Sequence, residues 1–169
     1  MTLSATTSIR LATDDDLDDV VAAYNAGIRE RIATFETRLR TPADVAEWLT
    51  EGRPFIVAEQ DGRVIGWARA GYYSVRPVYH GVGDHAVYVH PDARGQGIGR
   101  QLLAALCAES ERRGLHKLTS RVFADNHASR CAHRAAGFDE VGIQRRHGRL
   151  DGEWKDCVLV EKLLGDAAA

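Results

Sequence analysis

The run His90-Pro91-Asp92-Ala93-Arg94-Gly95-Gln96-Gly97-Ile98-Gly99-Arg100 constrains this chain more than any other stretch, because it joins a strand pattern to a helical one through a glycine-rich turn. Residues 86–89 read as a strand, and residues 101–113 carry Leu102, Leu103, Leu106 and Cys107 at the spacing of one helical face. The amides that open such a helix have no carbonyl partner, and the helix dipole adds partial positive charge at the same place. The turn therefore predicts an anion site suited to phosphate. A tight strand-to-helix turn without a ligand would show the same glycines.

The loop lacks the lysine and hydroxyl residue of a P-loop, and it lacks the full glycine fingerprint of dinucleotide binding. Arg94-x-x-Gly97-x-Gly99 belongs to another kind of phosphate loop. Its setting is one domain, since 169 residues with 44% hydrophobic content suffice for a single core. We assign that domain to residues 1–165 and expect residues 166–169 to be a disordered tail.

A net charge of -2 gives no basic excess to neutralise nucleic acid, so no nucleic-acid partner is expected. No stretch has the length and apolarity of a membrane span, and residues 1–8 are polar rather than signal-like, which predicts a cytoplasmic chain without a membrane partner. Cys107, Cys131 and Cys157 are odd in number and lack CxxC spacing, so they read as reduced, mostly buried thiols. The seven histidines form no HExxH pair, and no metal is expected.

Along the chain, residues 9–12 read as a strand and Thr13 as the cap of a helix with an acidic first turn and an apolar face of Leu17, Val20, Val21 and Tyr24. Thr41-Pro42-Ala43-Asp44 is a capping signature for a second helix reaching about residue 50. Residues 55–58 and 64–68 form a hairpin around Asp61-Gly62. After the helix ending at Gly114 come a strand over 117–123, a helix over 126–136, and an antiparallel pair over 138–145 and 154–163.

This element order, with Arg94, Gln96, Gly97 and Gly99, resembles the Gcn5-related N-acetyltransferase (GNAT) superfamily. Asp84-His85-Ala86-Val87-Tyr88-Val89-His90-Pro91, Asn126-x-x-Ser129-x-x-x-His133-x-x-x-Gly137-Phe138, Gly152-x-Trp154-x-Asp156 and Ala33-Thr34-Phe35 are similar to its phosphinothricin acetyltransferase branch. The resemblance covers almost the whole chain. It implies an α/β (α+β) fold: a mixed, mostly antiparallel sheet of about seven strands with four helices, whose splayed central strands hold acetyl-CoA. Relatives in that branch acetylate the α-amino group of glutamate or glutamine analogues such as phosphinothricin, arsinothricin and methionine sulfoximine. Detoxification or resistance is the implied role, and a homodimer the implied assembly. The alternatives are acetylation of protein N-termini or another small amine, and a non-catalytic domain that binds coenzyme A as a sensor or scaffold.

Acetyl transfer from a thioester to an amine requires a base, a donor for the developing oxyanion, and a route for the leaving thiolate. The resemblance places Asp84 as base where the branch usually has glutamate; one methylene shorter, it would reach through a water. A turn residue after Gly81-Val82-Gly83 is the plain alternative. His85 is the rival base, although neighbouring strand residues face opposite sides. A backbone amide of Tyr88 or Val89 would serve the oxyanion.

His133 stands at the position of the general acid, with a structural histidine as the alternative. The loop residues Arg94, Gly95, Gln96, Gly97, Ile98, Gly99 and Arg100 would hold the pyrophosphate. Asn126 would pair with the cofactor's amide arm or cap a helix, and Ser129 would reach a phosphate. For an anionic substrate the candidates are Arg69, Arg76 and Tyr79, with Phe35 as a cover, because a guanidinium forks onto a carboxylate or phosphinate. Arg145, Arg146 and Arg149 read as exposed hairpin charges.

Overall fold

The computed structural model describes residues 6–169; of the polar N-terminal stretch read over residues 1–8, residues 1–5 lie outside the described residues. Strands β1 (Thr7–Leu11), β2 (Phe55–Gln60), β3 (Arg63–Tyr72), β4 (Val82–Val89), β5 (Lys117–Phe123), β6 (Asp139–Leu150) and β7 (Glu153–Leu163) form one sheet in the order β1-β2-β3-β4-β5-β7-β6. Four α-helices are present among the described residues: α1 (Leu17–Glu30), α2 (Pro42–Ala46), α3 (Ile98–Arg112) and α4 (His127–Ala135). Every neighbouring strand pair is antiparallel except β4 and β5. The sequence-based α/β class, its strand count and its helix count are all met.

Two apolar layers hold the sheet. On one face Val20 and Val21 of α1 and Val45 of α2 pack with Val57, Val64 and Trp67. On the other, Leu102, Leu103 and Leu106 of α3 pack with Ala58, Ala68, Leu118, Val158 and Val160. The β2/β3 register steps from Ala58↔Gly66 to Glu59↔Val64, so Ile65 is an extra residue. Such a bulge shifts the alternation by one, which puts Val64 and Trp67 under α1 while Ile65 joins the α3 layer.

The turns follow their chemistry. Asp61 and Gly62 have φ of 52° and 76°, and Asp151 and Gly152 have 50° and 84°; a type I′ two-residue hairpin loop needs positive φ at both positions. Thr13 caps as expected, in a capping box with Asp16, but Asp14–Asp16 is a 3-10 turn and α1 proper begins at Leu17. The second helix is shorter than expected, with α2 followed by a 3-10 turn over Glu47–Leu49. β4 begins at Val82, four residues before the reading, because Gly83 interrupts its apolar pattern. The tail, expected to lack order, contains a 3-10 turn over Gly165–Ala168. Cys107 and Cys157 are buried, Cys131 is exposed, and all three are free. Among the described residues no helix is long and apolar enough to cross a membrane.

The sheet is open at its centre. β4 and β5 pair only through Val82↔Lys117, Gly83↔Leu118 and Asp84↔Thr119. Beyond Asp84 the two strands part, and β4 stays paired with β3 alone as far as Val89. One edge of β4 therefore presents unpaired backbone donors and acceptors inside the molecule, a place for an extended ligand to bind as a strand would.

Candidate active site

The gap between β4 and β5 opens into a cavity of about 890 Å³. Asp84 sits at its vertex, the last β4 residue paired with β5. Its side chain is open to the cavity, and the surrounding protein raises the carboxyl pKa, while Arg121 and Arg69 pull it down less strongly. Arg69 projects from β3, directly opposite Ala86, and shares Asp84's face of the sheet. Its Nη2 donates to Glu51 Oε2 at 2.5 Å, and its guanidinium lies 4.3 Å from the Trp48 ring centre. Arg121, two residues beyond Thr119 on β5, lines the same wall and makes no ion pair with another described residue. One carboxylate thus faces a cavity wall carrying two guanidinium groups.

The glycine-rich loop lies at the other end of the cavity. Gly95 and Gly97 adopt φ of 76° and 77°, a region that favours glycine, and this turns the chain so that α3 starts at the cavity. The first α-helical bond is Gln101 N to Gly97 O at 3.1 Å, so the amides of Ile98, Gly99 and Arg100 have no partner one turn back. Ile98 is itself buried and anchors the loop in the core. Gly95, Gly97, Ile98, Gly99 and Arg100 line the cavity; Gln96 is exposed outside it. Arg94 is not a free cation here: its Nη1 donates to Glu30 Oε2 at 2.7 Å and its Nε to Val89 O at 3.1 Å. It ties the loop to α1 and β4.

Val89 lines the cavity, and Tyr88 lines it too, with its ring packed in an aromatic group. That ring stacks on Trp67 at 5.0 Å and meets Tyr24 at 4.8 Å, and burial raises its phenol pKa far above the ordinary value. The ring is core, which leaves the Tyr88 and Val89 backbone as the part that faces the gap.

On the α4 side, His133 is 3% exposed. Its Nδ1 lies 2.8 Å from the Ser129 carbonyl oxygen and 3.3 Å from the Ser129 hydroxyl, while its Nε2 is 2.9 Å from Nε2 of His85. Asn126 caps α4: its Oδ1 accepts from Ser129 N at 3.1 Å, and its Nδ2 donates to Ile32 O at 3.1 Å. Its amide thus links α4 to the loop after α1.

The structure brings together Asp84, His133, Tyr88, Val89, Asn126, Ser129, Arg69 and Phe35, which all line the cavity. Phe35 covers one wall, edge-on to Phe123 with ring centres 4.8 Å apart. Arg76 and Tyr79 do not join them. They lie on the exposed 3-10 turn between β3 and β4, with the Arg76 guanidinium 5.4 Å from the Tyr79 ring centre. Arg145, Arg146 and Arg149 are exposed on β6, as read. Sequence reasoning missed Arg121 and the aromatic wall of Tyr24, Trp48 and Trp67. Arg121 alternates with Thr119 on one face of β5, but only the parallel β4/β5 register shows that this face meets Asp84.

A sheet split at its centre, with a glycine turn opening a helix at the mouth of the split, is the architecture of an acyltransferase. The acetyltransferase (GNAT) family model matches residues 18–138, and the chain belongs to that family; it is an N-acetyltransferase. The chain is similar to the phosphinothricin N-acetyltransferase of Alcaligenes faecalis, 37% identical over 93% of this chain and 82% of that one. Among solved structures it is similar to the ribosomal-protein-alanine N-acetyltransferase of Brucella melitensis (35% identity, TM-score 0.88, 93% of this chain and 99% of that one). It is also similar to a phosphinothricin acetyltransferase from Sinorhizobium meliloti solved in complex with AcCoA (29% identity, TM-score 0.89, 95% of this chain and 90% of that one).

Proposed function

We propose that this protein transfers the acetyl group of acetyl-CoA to the α-amino group of a small anionic amino acid analogue of the phosphinothricin, arsinothricin or methionine sulfoximine type, a detoxifying or resistance activity. The observation that carries the reading is Asp84 at the strand vertex, with Arg69 and Arg121 on the same cavity wall. The residues fit acetyl-CoA as donor. The unpaired β4 edge suits an extended amide arm, and the amides of Ile98, Gly99 and Arg100 suit a pyrophosphate.

In this reading Arg121, and Arg69 to the extent that Glu51 leaves it free, hold the substrate's anionic groups and bring its amine to Asp84. The amine arrives as an ammonium; Asp84, directly or through one water, takes a proton so that the nitrogen lone pair can attack the thioester carbon. The N–C bond forms, the nitrogen gives up its second proton to solvent, and the C–S bond breaks to release the thiolate, which is protonated to the thiol. A backbone amide of the Tyr88–Val89 segment donates to the carbonyl oxygen as charge develops there. The pKa raised by crowding makes Asp84 a stronger base than an exposed aspartate. The protein is read as a cytoplasmic homodimer, with Tyr73, Val75 and Val78 on the exposed β3–β4 loop as the apolar surface available to a partner.

A second reading, acetylation of protein N-termini, is favoured by the likeness to the Brucella melitensis enzyme. Thiol release from acetyl-CoA decides between them, measured with a panel of the three analogues, glutamate, polyamines and short peptides. Saturable turnover on an anionic analogue, with KM raised at least tenfold in R121A, supports the first reading. Preference for peptides, insensitive to Arg121, would replace it with the second.

A further inference from the structure

His85 and His133 form a buried pair that the reaction scheme above leaves without a part. Both are 3% exposed, and their rings stand 5.1 Å apart between β4 and α4. The contact distances favour one assignment of protons. Nδ1 of His133 lies 2.8 Å from a carbonyl oxygen, and two lone pairs at that distance would repel, so Nδ1 carries the hydrogen and donates to Ser129 O. A neutral imidazole has a single N–H, which leaves Nε2 of His133 as an acceptor. Its contact at 2.9 Å is Nε2 of His85, which must then donate. Nδ1 of His85 is left without a hydrogen; it is buried, and although the Thr119 backbone lies near the ring, no hydrogen bond of ordinary geometry reaches this atom.

The surroundings favour this neutral arrangement. Phe138 covers both rings, at 4.9 Å from His85 and 5.2 Å from His133, and the Lys162 ammonium lies 5.9 Å from the Phe138 ring centre. Thr119 and Ser129 add only uncharged groups. No carboxylate of the described residues pairs with either ring, and Asp84 stands on the opposite face of β4. A cation placed here would have no counter-charge and little water.

We propose that His85 is a positioning residue: its Nε2–H fixes His133 as a neutral Nδ1–H imidazole bonded to α4, so that His133 acts as an oriented wall of the thioester site and not as a proton donor. A neutral imidazole that gave up its only proton would become an imidazolate, which this setting does not support. The ammonium loses two protons on becoming an amide: one passes by way of Asp84 and cavity solvent to the departing thiolate, the other is released to solvent, and the proton count closes without His133. This inference rests on the acetyl-transfer reading for its catalytic meaning, but its proton assignment does not.

The test is imidazole 15N NMR of the wild-type protein at neutral pH, correlating ring nitrogens with carbon-bound protons, with His85→Leu and His85→Gln alongside. The expected result is one histidine protonated only at Nδ1, lost from the spectrum in His133→Gln, and one protonated only at Nε2, lost in His85→Leu. In His85→Leu the remaining signal should move to mixed tautomers, kcat should fall about tenfold with the amine KM unchanged, and His85→Gln, whose amide can donate in place of the ring, should recover both. A His133 protonated at Nε2, or doubly protonated, in the wild type would overturn the proposal even if both variants failed to fold. An unchanged His133 tautomer in a folded His85→Leu would also overturn it. The spectra need no substrate, so failure of the whole amine panel would sink the functional reading and leave this assignment standing.

Discussion

The ring of Tyr88 passes so close to α1 that a Cβ on Gly27 would stand 2.7 Å from its Cε1. Gly27 is therefore the notch that lets β4 approach α1, and β4 carries Asp84 and the open backbone edge. Replacing it with alanine adds about 1 kcal/mol of helix propensity but forces a buried ring aside, a cost of about 1–3 kcal/mol. G27A should lower the melting temperature and weaken acetyl-CoA binding together. Thermal unfolding with and without acetyl-CoA checks this, and a more stable G27A would show that the ring yields freely.

Asp84 should show opposite effects on activity and stability. D84A is expected to lower kcat by about 10²–10⁴-fold with acetyl-CoA affinity nearly unchanged, the range of a lost general base. Because crowding raises the folded pKa above the ordinary 3.8, the fold favours the protonated form. That contribution to stability is present below the ordinary value and is lost as pH rises through the folded one. At neutral pH the ionised carboxylate is therefore a burden, and D84N should be as inactive as D84A yet melt higher than the wild type. The acid limb of the wild-type pH–rate profile should lie above 3.8 and vanish in both variants. Measured kcat within threefold of wild type in D84A would remove Asp84 as the base.

Arg94 is held by Glu30 and Val89 O before any phosphate arrives, so its first task is to fix the loop. Hydrogen bonds to a charged group contribute about 1.5–3 kcal/mol each, and R94A should raise the KM for acetyl-CoA about 10- to 100-fold. E30A, which leaves the Val89 contact in place, should raise it by less. Tighter binding in E30A would mean that Glu30 competes with phosphate for Arg94 instead of orienting it.

Much of the fold was legible because each element carries its own local signal. Lys117–Phe123 has the alternation of a strand, and Asp61-Gly62 has the residues its turn requires. The turn into α3 was legible for the same reason, since Gly95 and Gly97 stand where φ is positive. What the sequence did not disclose depends on register between distant segments. Arg121 meets Asp84 only because β4 and β5 pair in parallel over three residues and then part. Arg76 reads as a substrate arginine by its guanidinium chemistry, but the β3–β4 loop carries it to the surface, against Tyr79. The His85–His133 bond joins residues 48 positions apart, across a contact that neither local pattern announces.

That pair also sets how the protein should respond to acid. Burial lowers the pKa of both rings from the ordinary 6.5, with the partner ring lowering His85 further. A histidine whose folded pKa is depressed takes up its proton more readily in the unfolded chain. Its contribution to stability is therefore complete above 6.5 and is lost as pH falls below that value toward the folded pKa. Each such histidine can add at most about 1.4 kcal/mol per pH unit to the slope in this window. Between pH 6.5 and pH 5 the wild type should lose stability to denaturant more steeply than a His85→Leu/His133→Gln double variant, whatever their difference at pH 7.5. Parallel losses in the two proteins over that window would mean that the pair is charged in the folded state, and that acid sensitivity arises elsewhere.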